Sequence, residues 1–233
     1  MDLGLQRRHA LVCGASSGIG RAAALELASL GATVTVLARR ADLLSSLTGE
    51  LMAAGASGAH ALQGDLDDRA GLQEILAAFL AELGPVHVLV HNSGGPPGGP
   101  ILEADEQAFE TAIGRHLLGG QLLVRACLPG MIEAGYGRII NIISTSVKEP
   151  IPNIGLSNTL RGAMASWSKS LNLELPECIT INNVLPGFTD TSRLASLAQS
   201  IHDKTGKSVD EVHEGLMTQV PIKRLIDPKE TAA

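Results

Sequence analysis

Flat rings are nearly missing from this chain: aromatic residues are 2% of its 233 residues, with one tryptophan, one tyrosine and three phenylalanines. The formal net charge of -6 supplies no basic surface either, so neither the stacking platforms nor the electrostatic footprint of a nucleic-acid binder is present. Cysteine is equally sparse. Cys13, Cys127 and Cys178 are odd in number, far apart and set in apolar segments, which reads as three buried small hydrophobes in a reducing compartment. No apolar run approaches the roughly 18 residues of a membrane span, and none follows the basic pair in the opening M-D-L-G-L-Q-R-R-H-A. No membrane partner and a cytoplasmic address are therefore expected. Carboxylate clusters beside histidine are absent too: His87 and His91 share a strand face, but as hydrogen-bonded structural groups, and no metal is expected.

What is present is a hydrophobic fraction of 45%, enough for one well-buried domain and short for two. Short β-branched runs at Ala10 to Cys13, Thr33 to Ala38, Ala59 to Gln63, Val86 to His91, Arg138 to Ser144 and Ile179 to Leu185 read as strands. Between them, Ile19 to Leu30, Ala41 to Ala54, Asp67 to Leu83, Asp105 to Ala134 and Leu156 to Leu175 carry a helical period. Strand then helix, repeated, predicts an α/β fold: a doubly wound parallel sheet with helices on both faces, a single domain over 1–233. Ligands of such sheets bind beyond the carboxyl ends of the strands, so the loops after strands form the functional edge.

The first of those loops is Cys13-Gly14-Ala15-Ser16-Ser17-Gly18-Ile19-Gly20. Gly14 suits a tight turn, Gly18 a close backbone approach to a pyrophosphate, Gly20 close helix packing, and the helix start offers N–H donors. A glycine turn alone is weak; its place between a first strand and a first helix suits a dinucleotide. The spacing G-x-x-x-G-x-G resembles the short-chain dehydrogenase/reductase family and its Rossmann fold. Other matches run through nearly the whole chain: Asp65-Leu66 after the third strand, Asn92-Ser93-Gly94 after the fourth, and Pro186-Gly187-Phe188-Thr189-Asp190-Thr191 after the sixth. The resemblance implies that Gly14, Ser16, Ser17, Gly18, Ile19, Gly20, Asp65, Leu66, Asn92, Gly94, Pro186, Gly187, Thr189 and Thr191 hold the cofactor. The second strand ends in Ala38-Arg39-Arg40, where an acidic residue would accept from a ribose 2′-hydroxyl. Arg39 favours NADP(H) over NAD(H); the alternative is that both arginines merely solvate a helix start.

The family's proton machinery is where the resemblance breaks. It pairs a serine on the carbonyl oxygen with a tyrosine acid, a lysine on the ribose and an asparagine in a relay. Ser144 matches the serine; thirteen residues on, the tyrosine position is Ser157, and the lysine position one helical turn further is Arg161. The asparagine position falls on His116. Tyr136, the one tyrosine, lies in the turn before the fifth strand, at the edge opposite the cofactor. A serine hydroxyl is a far weaker acid than a phenol, and arginine cannot release its proton, so Arg161 binds rather than shuttles. Two groups could stand in as acid, His116 through water or a desolvated Lys148; each is otherwise an ordinary structural or solvated residue. The run L-S-N-x-x-R before N-N-V-L-P-G-F-T is similar to a subgroup resembling β-ketoacyl-ACP reductases without the usual tetrad. There Asn158 and Arg161 look like a replacement motif that holds ribose or substrate.

The resemblance implies an NADP(H)-dependent oxidoreductase on a small carbonyl or 3-oxoacyl thioester with a non-standard active site. The alternative is a catalytically inactive NADP(H)-binding module or oligomer subunit of the same fold. Residues 191–220 are polar and helical in pattern and are expected to cover the substrate, while the family's final strand is missing after Ala233, as in a truncated chain or a disordered tail. Long fourth and fifth helices resemble the family's assembly surfaces, implying a homodimer or homotetramer.

Overall fold

A computed structural model describes residues 3–218 and 220–233; residues 1, 2 and 219 of the ranges above lie outside the described residues. Six strands form one parallel sheet in the order β3-β2-β1-β4-β5-β6: β1 His9–Cys13, β2 Thr33–Ala38, β3 Gly58–Gln63, β4 Val88–His91, β5 Gly137–Ile142 and β6 Ile179–Val184. The alternation that the sequence predicts is therefore real. Both faces are covered, as β1 shows residue by residue. Ala10 and Val12 point into a core with Ala24 and Ala28 of α1 (Gly18–Ser29) and Leu44, Leu47 and Leu51 of α2 (Ala41–Ala54). Leu11 and Cys13 point the other way, against Leu72, Leu76 and Phe79 of α3 (Arg69–Leu83). A period of two inside a continuously apolar strand is what a parallel sheet buried on both sides requires. Each fully buried leucine here contributes about 1.5–3 kcal/mol by leaving water.

The expected helix Asp105 to Ala134 is three pieces. α4 (Glu106–Ile113) passes into a wider π turn over Gly114–Leu118 and then into α5 (Gly119–Glu133). The glycines permit this: a Cβ on Gly120 would meet His91 at 2.8 Å, and one on Gly114 would meet the Arg69 guanidinium at 2.7 Å. One extra residue in a helical turn re-aims the side chains that follow, a frequent device at functional sites. α6 (Gly155–Asn172) follows β5 by way of a short turn at Thr145–Val147.

Residues 191–220 hold two helices, α7 (Ser192–Thr205) and α8 (Val209–Thr218), packed through Leu194, Ala198, Val212 and Leu216 into a small core of their own. A last turn, α9 (Pro228–Ala232), packs on α1. Among the described residues, no helix is long and apolar enough to cross a membrane.

Candidate active site

The order of the strands reverses direction at β1 and β4, and the carboxyl ends of these two neighbours open the crevice where ligands of such sheets sit. Asn92, just past β4, ties them: its Nδ2 donates to Cys13 O and to Gly14 O, each at 3.3 Å. Gly14 has φ +59, and a Cβ there would stand 2.7 Å from Asn92. Gly20 lies behind it, buried, where a Cβ would collide with Gly14 O and stand 2.7 Å from Asn92 Nδ2. Neither position tolerates a side chain, and the cradle they shape carries the α1 N-terminus on its rim.

From this cradle a cavity of about 520 Å³ runs to β5 and α6. Gly14, Ser16, Ser17, Gly18, Ile19, Arg39, Asp65, Leu66, Asn92, Gly94, Ser144, Ser157, Arg161, Pro186, Gly187, Thr189 and Thr191 all line it. Of the residues given a possible binding or proton role in the sequence, Gly20, His116, Lys148 and Asn158 do not. Gly20 acts on the cradle from behind, whereas His116 requires a correction.

His116 is 1% exposed, with Nδ1 bonded to Ser93 Oγ at 2.7 Å. Burial above all, then the positive charges of Arg161 and of Arg115 and Arg193, holds its pKa at about 2. At neutral pH it is an uncharged ring, so the imidazolium acid expected of it is not there, and it reaches the cavity only through Ser93, which does line the wall. Lys148, the other expected stand-in, is exposed and off the cavity wall. Asn158 also differs from expectation: its Nδ2 donates to Ile151 O at 2.8 Å and its Oδ1 accepts from Ile151 N–H at 3.4 Å, fastening the loop before α6. Tyr136 sits before β5 with the Arg8 and Arg138 guanidinium carbons 3.9 and 4.2 Å from its ring centre, away from the cavity.

At the chemical end, Ser144 Oγ accepts from the Ser146 N–H at 3.0 Å, which leaves its own proton for a group in the cavity. Ser157 is 9% exposed and makes no side-chain hydrogen bond to the described residues, so its hydroxyl also faces an open partner. Arg161 lies deep among protein atoms yet keeps surface towards the cavity; its Nη1 donates to Ile142 O at 2.9 Å and its Nη2 to Ser93 O at 3.5 Å. Burial, and then the nearby Arg193 charge, lowers its pKa to about 10, so it stays a cation at neutral pH.

Sequence reasoning gave no site role to three arginines of the wall. Arg40 rather than Arg39 reaches the cradle, its Nη2 donating to Ser16 Oγ at 2.9 Å and Ser17 Oγ at 3.4 Å. Arg39 is 70% exposed and stands 3.9 Å from Asp65. The doubled arginine in A-R-R was signal enough for both. Arg115 is brought to the wall by the π turn and paired with Asp67 through Nε at 2.8 Å, and Arg193 enters from α7, donating to Pro96 O. Nothing in the local pattern announces either, because a π turn and a packed covering helix are tertiary outcomes.

The family described as short chain dehydrogenase matches residues 8–202. A 3-oxoacyl-[acyl-carrier-protein] reductase FabG of Pseudomonas aeruginosa is 32% identical over 233 residues, covering 99% of this chain and 89% of that protein. The NADPH-dependent reductase BacG of Bacillus subtilis is 27% identical over 98% of this chain and 89% of its own. Among solved structures, an actinorhodin polyketide ketoreductase variant with NADPH superposes with a TM-score of 0.89 at 33% identity, covering 98% of this chain and 88% of that one. With its parallel sheet, its glycine cradle at the reversal point and these likenesses together, the chain belongs to the short-chain dehydrogenase family.

Proposed function

We propose that the protein is an NADP(H)-dependent oxidoreductase that reduces a small carbonyl compound or a 3-oxoacyl thioester at the Ser144 end of the cavity. The observation that carries this is Arg40 bonded to Ser16 and Ser17, with Arg39 beside it: two cations at the end of β2 where a 2′-phosphate would lie. The cradle fits a pyrophosphate, since Gly14 and Gly18 both have positive φ and bare backbone there. Gly14, Ser16, Ser17, Gly18 and Ile19 would hold the phosphates, Arg39 and Arg40 the 2′-phosphate, Asp65 and Leu66 the adenine, and Asn92, Gly94, Pro186, Gly187, Thr189 and Thr191 the nicotinamide half. NADPH when bound supplies the hydride.

The chain's own part is polar. Ser144 donates to the carbonyl oxygen, and the fixed charge of Arg161 stabilises the negative charge that develops there. Reduction also needs a proton on that oxygen. Ser157 is too weak an acid to originate it but can pass one from water, accepting at its oxygen while it gives up its own hydrogen. His116 orients Ser93 as a neutral ring rather than serving as the acid. Residues 191–220 cover the cavity through α7, and exposed Ile113, Leu118 and Ile132 along α4 and α5 support a homodimer or homotetramer, which sedimentation velocity reads directly.

The test follows NADPH oxidation with a panel of small ketones, oxo acids and 3-oxoacyl thioesters. Consumption that requires Ser144 supports the proposal. NADPH binding without turnover of any of them would instead identify an inactive cofactor-binding module.

A further inference from the structure

The wall of the cavity carries five arginines, Arg39, Arg40, Arg115, Arg161 and Arg193, against a single aspartate, Asp65. Two of the five are accounted for by carboxylates of the chain: Arg39 lies 3.9 Å from Asp65, and Arg115 is paired with Asp67. Arg40 stands at the cradle with the serine hydroxyls. That leaves Arg161 and Arg193, neither of which is ion-paired among the described residues. Arg161 is bonded to backbone carbonyls of Ile142 and Ser93, and Arg193 to that of Pro96. They are near enough that Arg193 disfavours the charge on Arg161. A deep cation without a counter-ion is costly, and two that repel each other are more so; such an arrangement persists where a ligand brings the missing negative charge.

The cofactor cannot bring it. Its phosphates belong at the cradle and at Arg40, the far end of the cavity, and its reduced nicotinamide carries no negative charge. We infer that the substrate itself carries a carboxylate, held by Arg161 and Arg193 beside Ser144 and Ser157. This rests on the reductase reading above and narrows it to oxo acids. Shape favours a carboxylate over a phosphate: Arg161 has already committed two N–H groups, so what remains suits a planar, two-oxygen partner. Room is provided as well. Gly95 lies where a Cβ would come 3.3 Å from Arg193 Nε, and Arg193 stands where the main cavity meets a second one of about 560 Å³, bounded by Gly95 to Gly98 and by α4. The rest of the acid has a place to extend. Arg193 is the more solvent-exposed of the two, so Arg161 carries the greater part of the recognition.

The probes are 4-methyl-2-oxopentanoate and its methyl ester, which lacks the charge and is larger by a methyl group, titrated calorimetrically into the free protein and into the protein saturated with NADP+. The acid is expected to bind at least about tenfold tighter than the ester, with the preference falling several-fold in Arg193→Gln and disappearing in Arg161→Gln. Thermal melts establish that each variant is folded. Should Arg161→Gln fail that check, Arg193→Gln, on the exposed rim, decides alone. Equal binding of acid and ester, a preference that survives in the folded variants, or displacement of the acid by inorganic phosphate at equal concentration would overturn the inference. NADP+ affinity is read in the same titrations. Failure to bind NADP+ with the acid preference intact sinks the reductase reading and keeps the anion site, whereas NADP+ binding without the preference does the reverse.

Discussion

The two ends of one cavity differ in how they relate to the family. The cradle end keeps the pattern in detail: Gly14, Gly18 and Gly20 stand where a side chain would meet Asn92, Thr191 or Gly14 itself. At the β5–α6 end Ser144, Ser157 and Arg161 line the cavity and His116 stands behind Ser93, and in the proposed reading Ser144 alone matches the family's proton machinery. Backbone geometry cannot change without losing the site, whereas side-chain chemistry can be exchanged on an unchanged frame, as Arg161 shows by bonding to the Ile142 and Ser93 carbonyls of that same frame. In the proposed reading cofactor binding and proton delivery are separable, and each should be open to perturbation without the other.

The largest effect is expected from Ser144→Ala, which removes the donor aimed at the carbonyl oxygen: kcat for NADPH oxidation should fall about 10²–10³-fold, with NADPH affinity unchanged. Next is Arg40→Ala at the other end. It should weaken NADPH binding by about 1.5–3 kcal/mol, roughly ten- to hundredfold, and leave NADH binding alone, as read by calorimetry. Gly20→Ala places a methyl against Gly14 O and Asn92 and should cost about 1–3 kcal/mol, seen as a melting temperature lowered by several degrees.

Acid should destabilise the fold. His9, His91 and His116 have their pKa values lowered, mainly by burial, to about 4, 4 and 2. Well above the ordinary histidine value of about 6.5, from roughly pH 8, all three are neutral folded and unfolded, so they add no pH dependence. Below it the unfolded chain takes up protons that the folded chain refuses, and stability falls by at most about 1.4 kcal/mol per pH unit for each group. His116→Asn should shallow that slope by an amount that grows towards one proton as denaturation curves are taken from pH 7 down to pH 5. Smallest of all, Tyr136→Phe keeps the ring under Arg8 and Arg138 and should change turnover less than about twofold, whereas removal of a catalytic acid costs about 10²–10⁴-fold.

How much of this was legible in the sequence follows the same division. β2 and α2 have the predicted bounds, because β-branched runs and a glycine stop at Gly55 are local signals. The glycine loop was legible as a local pattern too, whereas the Asn92 and Pro186 segments were legible through the family resemblance. What a local pattern cannot carry is which surface a helix residue presents once its neighbours are packed. The π turn at Gly114–Leu118 looks like ordinary helix in sequence, and it decides that Arg115 lines the cavity while His116 is buried behind Ser93. Asn158 reads as a ligand group beside Arg161, yet it is spent on Ile151. Arg193 is one polar residue among many in a covering segment until α7 brings it to Pro96.

The most direct test of the separation is a titration of the purified protein with NADPH and with NADH, alongside the Ser144→Ala variant. The account predicts NADPH bound at least about tenfold more tightly than NADH, and equally well by both proteins. Equal affinity for the two cofactors, no affinity for either in folded protein, or NADPH binding lost with Ser144 would contradict it.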